Sequence, residues 1–271
     1  MARPSKWSEL ADKWMYYLPP NRPSPSDLLT FRGMIARRFQ STAPVKALVL
    51  GATPELRDLL AAVGAEVTVV DSNDVMVQAM TRLRRTATPE TTVVADWLEF
   101  LPTTPASFDL ILSDFTQGNI EPSDQVRFYE CIAHALTPKG LFIDRVVTYR
   151  EPSKLYAVSR ELPLFEELPV NLATLNDMLV RCVFATDMTY EFKRIQMSRS
   201  YAFMREWSPT AGRLADMLDR YIASGSLCWH YGEDWQTVSE RYYAQLKPVE
   251  EIPHLGSSYE GHVYIIATET K

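Results

Sequence analysis

Three carboxylates close three apolar runs: Asp71 ends "EVTVVD", Asp96 ends "TVVAD" and Asp114 ends "FDLILSD". A glycine, Gly51, ends a fourth run, "VKALVLG", and a helical pattern follows at once. A strand that runs through a glycine into a helix is the layout of a phosphate turn, where backbone approaches a pyrophosphate and the helix N-terminus faces it. That turn needs G-x-G-x-x-G, but the six positions here are Gly51, Ala52, Thr53, Pro54, Glu55 and Leu56. Pro54 removes an N–H, and Glu55 puts a negative charge where the pyrophosphate would lie. As a phosphate site the turn is poor.

A cofactor without phosphate fits it better. S-adenosylmethionine carries an adenosine, a sulfonium cation and a zwitterionic amino acid; it needs a tight turn after the first strand and tolerates an acidic loop. Gly51, Ala52 and Thr53 would form that turn. Asp71, about twenty residues on and followed by Ser72, is placed to accept both ribose hydroxyls. Asp96 could take the adenine amino group while Trp97 meets the ring, with Met76 covering the other face. Each residue also has a plainer reading: an Asp at a strand end is commonly a helix cap, and Trp97 and Met76 are ordinary core residues. Two carboxylates at the ends of successive strands, beside the first-strand turn, nonetheless occupy the place where open α/β sheets bind ligands.

The elements that must position these groups are legible from hydrophobic spacing. The four runs and a fifth, "LFIDRVV" at 141–147, read as buried strands. Helical stripes separate them: Leu56, Leu59, Leu60 and Val63, stopped by Gly64; Met76, Ala79, Met80 and Leu83; and Val126, Tyr129, Ile132, Ala133 and Leu136, stopped by "TPKG". Thr53, Pro54 and Glu55 make a helix start. Strands alternating with helices imply right-handed crossovers and a largely parallel sheet covered on both faces. "KPVEEI" and "HVYIIAT" flank a Gly/Ser-containing stretch and read as an antiparallel pair at one side of the sheet. Residues 150–246 read as mostly helical, with a stripe through Leu172, Leu175, Leu179, Cys182 and Val183 and a helix start at Ser208-Pro209. The expected division is an N-terminal helical or lid segment over 1–43, a cofactor core over 44–149, a helical insertion over 150–246 and closing strands over 247–271.

Over roughly residues 44–147 the chain resembles the class I S-adenosylmethionine-dependent methyltransferases. The resemblance is carried by "LVLGATPEL", "VTVVDSN", "VVADWLEF", "FDLILSD" and "ALTPKGLFI", the last being similar to the family's L-x-P-G-G turn with Lys139 in place of a glycine. It implies a seven-stranded, mostly parallel Rossmann-like sheet with helices on both faces, and S-adenosylmethionine as methyl donor with S-adenosylhomocysteine as product. The family's E/D-x-G-x-G-x-G is altered, with Val49 standing where an acidic residue would end the strand motif. The methionine amino group would then meet backbone carbonyls near Gly51 and Ser113. Arg22, in "PPNRPSP", is a further candidate, able to pair with the methionine carboxylate by a two-pronged hydrogen bond.

Methyl transfer from a sulfonium is an in-line displacement, so alignment matters most and a base is needed only where the acceptor holds its proton. The acceptor is expected over the end of the fourth strand, beside Asp114 and Phe115, with Tyr149 and Tyr17 lining the pocket under a lid. Asp114 could serve as base, amine anchor or turn residue. "SDFT" lacks the [DN]-P-P-[YF] of base-amine methyltransferases, and the net charge of −6 counts against nucleic acid. Aromatics in the insertion and the N-terminus favour a small-molecule acceptor. A protein or RNA methyltransferase and an inactive binding subunit are the alternatives, and a homodimer is the one self-association carried forward. No metal site is expected: His134, His230, His254 and His262 have no ligand spacing, and Cys131, Cys182 and Cys228 read as buried hydrophobes. "MARPSKWSELADKW" has no apolar h-region and no run approaches a membrane span, so a cytoplasmic protein is expected.

Overall fold

The computed structural model describes residues 14–17, 19, 22–40, 43–121, 123–147, 169–170, 188–189, 194–195, 215–216, 219, 235–253 and 263–271. Its first half alternates as expected. Helix Pro25–Arg38 (α1) precedes strand Lys46–Leu50 (β1), helix Pro54–Ala62 (α2), strand Glu66–Asp71 (β2) and helix Asp74–Thr81 (α3). Strand Thr91–Val94 (β3), the short helix Trp97–Phe100 (α4), strand Phe108–Asp114 (β4), helix Gln125–Ala135 (α5) and strand Leu136–Val147 (β5) follow. Helix Trp235–Gln245 (α6) leads into strands Leu246–Pro253 (β6) and Val263–Thr270 (β7).

These seven strands form one sheet in the order β3-β2-β1-β4-β5-β7-β6. The first five are parallel, and β7 runs antiparallel to both neighbours. The last strand in sequence therefore inserts between β5 and β6. Register brings Leu50 opposite Val70 and Ser113, and Ser113 and Asp114 opposite Asp144 and Arg145. The carboxyl ends of β1, β2, β4 and β5 thus lie level along one rim, where the strand order turns about β1 and β4.

Period-2 alternation divides the core between the two faces of the sheet. Ala47, Val49, Val69, Leu110, Leu112 and Ile143 meet Phe31, Met34 and Ile35 of α1 and Leu56 and Leu60 of α2. Leu48, Leu50, Ile111 and Phe142 meet Phe128, Tyr129 and Ile132 of α5 and Val238 and Tyr242 of α6. Burial on both sides is why β1 and β4 read as unbroken apolar runs. The α1 helix is part of this packing. It begins with a capping box in which Ser24 and Asp27 each accept the other's backbone N–H, and Pro25 fills the first helical turn.

Three expectations change. Val126 is exposed; the inward stripe of α5 is Phe128, Tyr129, Cys131, Ile132 and Ala135. The third strand stops at Val94, two residues before Asp96, as an edge strand with an exposed face. Leu136 already pairs with Phe108, and the "TPKG" turn is absorbed into β5 at a register shift. Gly140 permits this: a Cβ there would lie 2.9 Å from Leu136 Cδ2 and 3.0 Å from the Thr137 carbonyl oxygen. Tyr149, His230, His254, His262, Cys182, Cys228, the 172–183 stripe and the Ser208-Pro209 helix start lie outside the described residues.

Candidate active site

The turn after β1 is built around one carbonyl. Val70 C=O accepts both the Gly51 N–H and the Trp97 indole N–H, each at 2.8 Å. Gly51 takes φ +87°, a conformation open to glycine at little cost. A methyl group on Gly51 would lie 3.9 Å from Trp97 Cζ2 and 4.0 Å from Asp71 Oδ2, so three residues from three strand ends converge on one small cradle. Asp71 Oδ1 accepts the Asn73 N–H at 2.8 Å, which leaves Oδ2 facing the turn. Burial pushes the Asp71 carboxyl above its ordinary range, and the Asn73 N–H opposes the shift. Ser72 is exposed at the bend. Asn73, in turn, caps α3 by accepting the Met76 N–H at 3.1 Å. Met76 is half-buried and packs with Ala52, Val77 and Met80.

The turn is also fixed from beneath. Ala52 is buried and its carbonyl accepts from Arg57, whose side chain is fully buried and paired with Glu90 and Thr81. Thr53 occupies the N-cap position of α2, but its side chain makes no capping bond; Pro54 supplies no N–H there. Asp96 caps α4, its Oδ1 accepting the Leu98 N–H at 2.8 Å. The plainer reading of Asp96 therefore holds for that oxygen.

At the ends of β4 and β5, adjacent residues carry two buried polar networks on opposite faces. Toward α1, Arg145 donates from Nε and Nη2 to Asp114 Oδ1 at 2.8 and 2.7 Å, and its Nη1 lies 3.7 Å from Asp27 Oδ2. Burial lifts the Asp114 carboxyl to about 6; Arg145 opposes this, while Glu55 and Asp27 add to it. Asp114 is thus an ion-pair partner rather than a solvated turn residue. Phe115 follows at φ +58°, a strained conformation for a bulky residue. It is held by its N–H to the Arg145 carbonyl at 2.9 Å and by the Arg145 guanidinium, 4.3 Å from its ring centre.

Toward α5 and α6, Asp144 accepts from the Ser113 and Tyr242 hydroxyls. Ser113 is fully buried, so its side chain serves this network. Burial lifts Asp144 to about 7 against those two hydrogen bonds, with Asp114 adding to the rise. The same burial and the neighbouring carboxylate hold the Tyr242 phenol well above its ordinary value. Because the folded-state value of Asp144 exceeds that of an unfolded carboxylate, its contribution to stability is full below roughly pH 4 and is lost as pH rises through about 7. Asp144→Asn is therefore expected to gain on the unsubstituted chain between pH 5 and 8 in urea midpoints. An unchanged difference across that range would refute the assignment.

Arg22 and Tyr17 meet other partners in this structure. The Arg22 guanidinium is engaged by Glu55, with Nη2 2.6 Å from Glu55 Oε1 and Nη1 donating to the Trp14 carbonyl at 3.0 Å; a nearby carboxylate is its strongest partner. Tyr17 is buried and lines a cavity of about 630 Å³ with Trp14, Arg22, Leu28 and Glu55, whose wall includes neither Asp114 nor Phe115. The cavity runs along α2 instead, with Pro54, Asp58 and Leu59 in its wall.

The sequence reading missed Asp27, Asp144, Arg145 and Tyr242. One signal was present: "FIDRVV" places two adjacent charges inside an apolar strand, and buried charges must find partners. Asp27 and Tyr242 carry no comparable mark. Among the described residues no group of three His, Cys, Asp or Glu side chains is arranged for a metal ion, and no helix is long and apolar enough to cross a membrane.

A methyl donor bearing a ribose fits the cradle: Gly51 leaves room, Asp71 Oδ2 offers an acceptor, and Trp97 supplies an aromatic edge. Residues 50–140 match the family described as a methyltransferase domain. A search of curated proteins gave no match. Among solved structures, a Pyrococcus horikoshii OT3 protein is similar at 15% identity and TM-score 0.56, over 96% of this chain and 99% of its own. A TehB-like S-adenosylmethionine-dependent methyltransferase from Corynebacterium glutamicum is similar at 12% identity and TM-score 0.54, over 99% and 100%. The Burkholderia thailandensis 1,6-didemethyltoxoflavin N1-methyltransferase is similar at 15% identity and TM-score 0.52, over 100% and 92%. The sheet order and the matched domain define a Rossmann-like methyltransferase. Residues 50–140 carry a methyltransferase domain, and the chain as a whole shares the fold of S-adenosylmethionine-dependent methyltransferases.

Proposed function

We propose that this methyltransferase acts on O, N or C of a small-molecule metabolite, with the acceptor seated against the Asp114–Phe115 loop. The observation that carries this reading is Phe115, a half-buried aromatic ring fixed in a strained conformation at the end of β4, beside a buried carboxylate. A flat ring and one charged group suit a small, partly apolar acceptor better than a polymer backbone. The Burkholderia relative, whose structure holds bound 1,6-didemethyltoxoflavin, supports the same acceptor class.

The bound donor supplies an electrophilic methyl group on a sulfonium. Asp71 holds the ribose, and Gly51, Ala52, Thr53 and Ser113 border the amino-acid end. Ser72, Met76, Asp96 and Trp97 stand at the adenine side. Asp114 Oδ1 is committed to Arg145; its other oxygen is the group left to anchor the acceptor or take its proton. Phe115 gives the acceptor a face to stack on and helps exclude water.

Asp71 provides the first test. A charge-assisted hydrogen bond lost from a buried site costs roughly 1.5–3 kcal/mol, so Asp71→Ala should weaken S-adenosylhomocysteine binding about tenfold or more in calorimetry. Equal affinity in that variant would remove Asp71 from the site. Screening metabolite pools with labelled donor then tests the acceptor class, since transfer only to protein or RNA would overturn it.

A further inference from the structure

The cavity whose wall holds Tyr17 measures about 630 Å³, within the size range of small-molecule sites. It lies beside the first turns of α1 and α2, and none of Gly51, Asp71, Trp97, Ser113, Asp114 or Phe115 is in its wall. It is a second concavity that shares no residue with the donor cradle or the acceptor loop. Leu28, Leu59 and Leu83 give it an apolar lining, and Pro25 and Pro54 fix the backbone where the two helices start. Trp14 and Tyr17 add two aromatic rings, 5.4 Å apart between centres and tilted by 56°.

The polar groups of this wall are few and mostly served. The Asp58 oxygens accept from the Arg85 and Thr86 N–H groups at 2.8 and 3.1 Å and from the Thr86 hydroxyl at 2.8 Å. Glu55 is different. Its Oε1 accepts from Arg22 at 2.6 Å and from the Trp14 indole N–H at 2.8 Å, while its Oε2 is buried with no hydrogen-bond partner. A carboxylate oxygen without a donor forfeits the hydrogen bond it had in water, and a charged N–H restores more of it than a neutral one. Arg22 already shows how this wall holds a cation: it pairs with Glu55, and its guanidinium carbon lies 5.7 Å from the Trp14 ring centre. Arg85, the remaining charge on the wall, is exposed and screened by water.

We propose that this cavity is a second small-molecule site that takes an organic amine, its apolar body against Trp14, Tyr17 and the leucines and its ammonium drawn to the Glu55 carboxylate. The site is independent of the methyl-donor reading, because it uses no residue of the cradle. A neutral apolar molecule would leave Glu55 as it stands, and an anion would bring a like charge against it.

Nuclear magnetic resonance titration of the isotope-labelled full chain with phenethylamine tests this, read from two indole N–H signals. Trp14 is on the cavity wall and Trp97 is in the cradle, and the signals are assigned with Trp14→Phe and Trp97→Phe. The amine should shift the Trp14 signal saturably and leave the Trp97 signal in place. Phenethyl alcohol and hydrocinnamate carry a similar apolar body with a neutral or an anionic end, and should bind about fivefold or more weakly. Glu55→Gln should bring the amine down to the alcohol's affinity. Leu59→Trp, which fills the cavity and leaves its charges alone, should weaken the amine and the alcohol together, so the test stands even if Glu55→Gln does not fold. No saturable shift at Trp14, equal binding of the three probes, or an amine preference that survives Glu55→Gln overturns the proposal. So does unchanged amine affinity in Leu59→Trp, or an equal shift at Trp97, since the amine would then sit elsewhere.

Discussion

Replacing Arg145 with methionine is expected to cost about 3–5 kcal/mol of folding stability, the loss typical of breaking a buried ion pair from one side. Arg145 is fully buried, bonds Asp114 Oδ1 twice and approaches Asp27. Without it, two carboxylates face one another across a low-dielectric layer, and Phe115 loses the cation beneath its ring. The chain can relieve this by protonating a carboxylate, so the loss should be larger at pH 8 than at pH 5. Urea unfolding of the full chain measures it. A second substitution, Asp114→Asn, should restore part of the loss in the Arg145→Met background, because it removes one stranded charge. A loss under about 1 kcal/mol at pH 8 would show that the pair contributes little.

Asp114→Asn alone should lower turnover by roughly 10²-fold or more while affinity for S-adenosylhomocysteine holds. Asparagine keeps the volume and an acceptor for Arg145, so the change removes charge and basicity rather than shape. The pH profile separates catalysis from mere support. With its carboxyl lifted to about 6, Asp114 is protonated in mild acid, and turnover of the unsubstituted enzyme should fall as pH drops through that value. The variant should lack this limb. Full turnover in Asp114→Asn would leave alignment as the source of rate and take Asp114 out of the chemistry.

The grouping of Gly51, Asp71 and Trp97 beside one turn was legible because each lies at or just past a strand end, and strand ends are local features of the sequence. The parallel α/β sheet was legible for the same reason, since period and alternation are written along the chain. Asp96 was half legible. Its type and place fit either a ligand contact or a cap, and the backbone N–H of Leu98 claims one of its oxygens.

What the sequence could not carry was distance between elements. Asp114 and Arg145 are 31 residues apart, and only the β4–β5 register sets one opposite the other. The same register, one residue earlier, puts Ser113 against Asp144, and α6 then delivers Tyr242 from 98 residues away. Neighbouring residues on a strand face opposite ways, so a single pairing produced two polar networks with different partners. Arg22 was singled out for its charge and stiff surroundings, but its partner was decided by where α2 brings Glu55. Composition and period determine which residues are buried and which lie at the rim. Which buried charges meet is decided by register and helix placement, because an ion pair acts over a few ångströms and a chain's own order does not encode them.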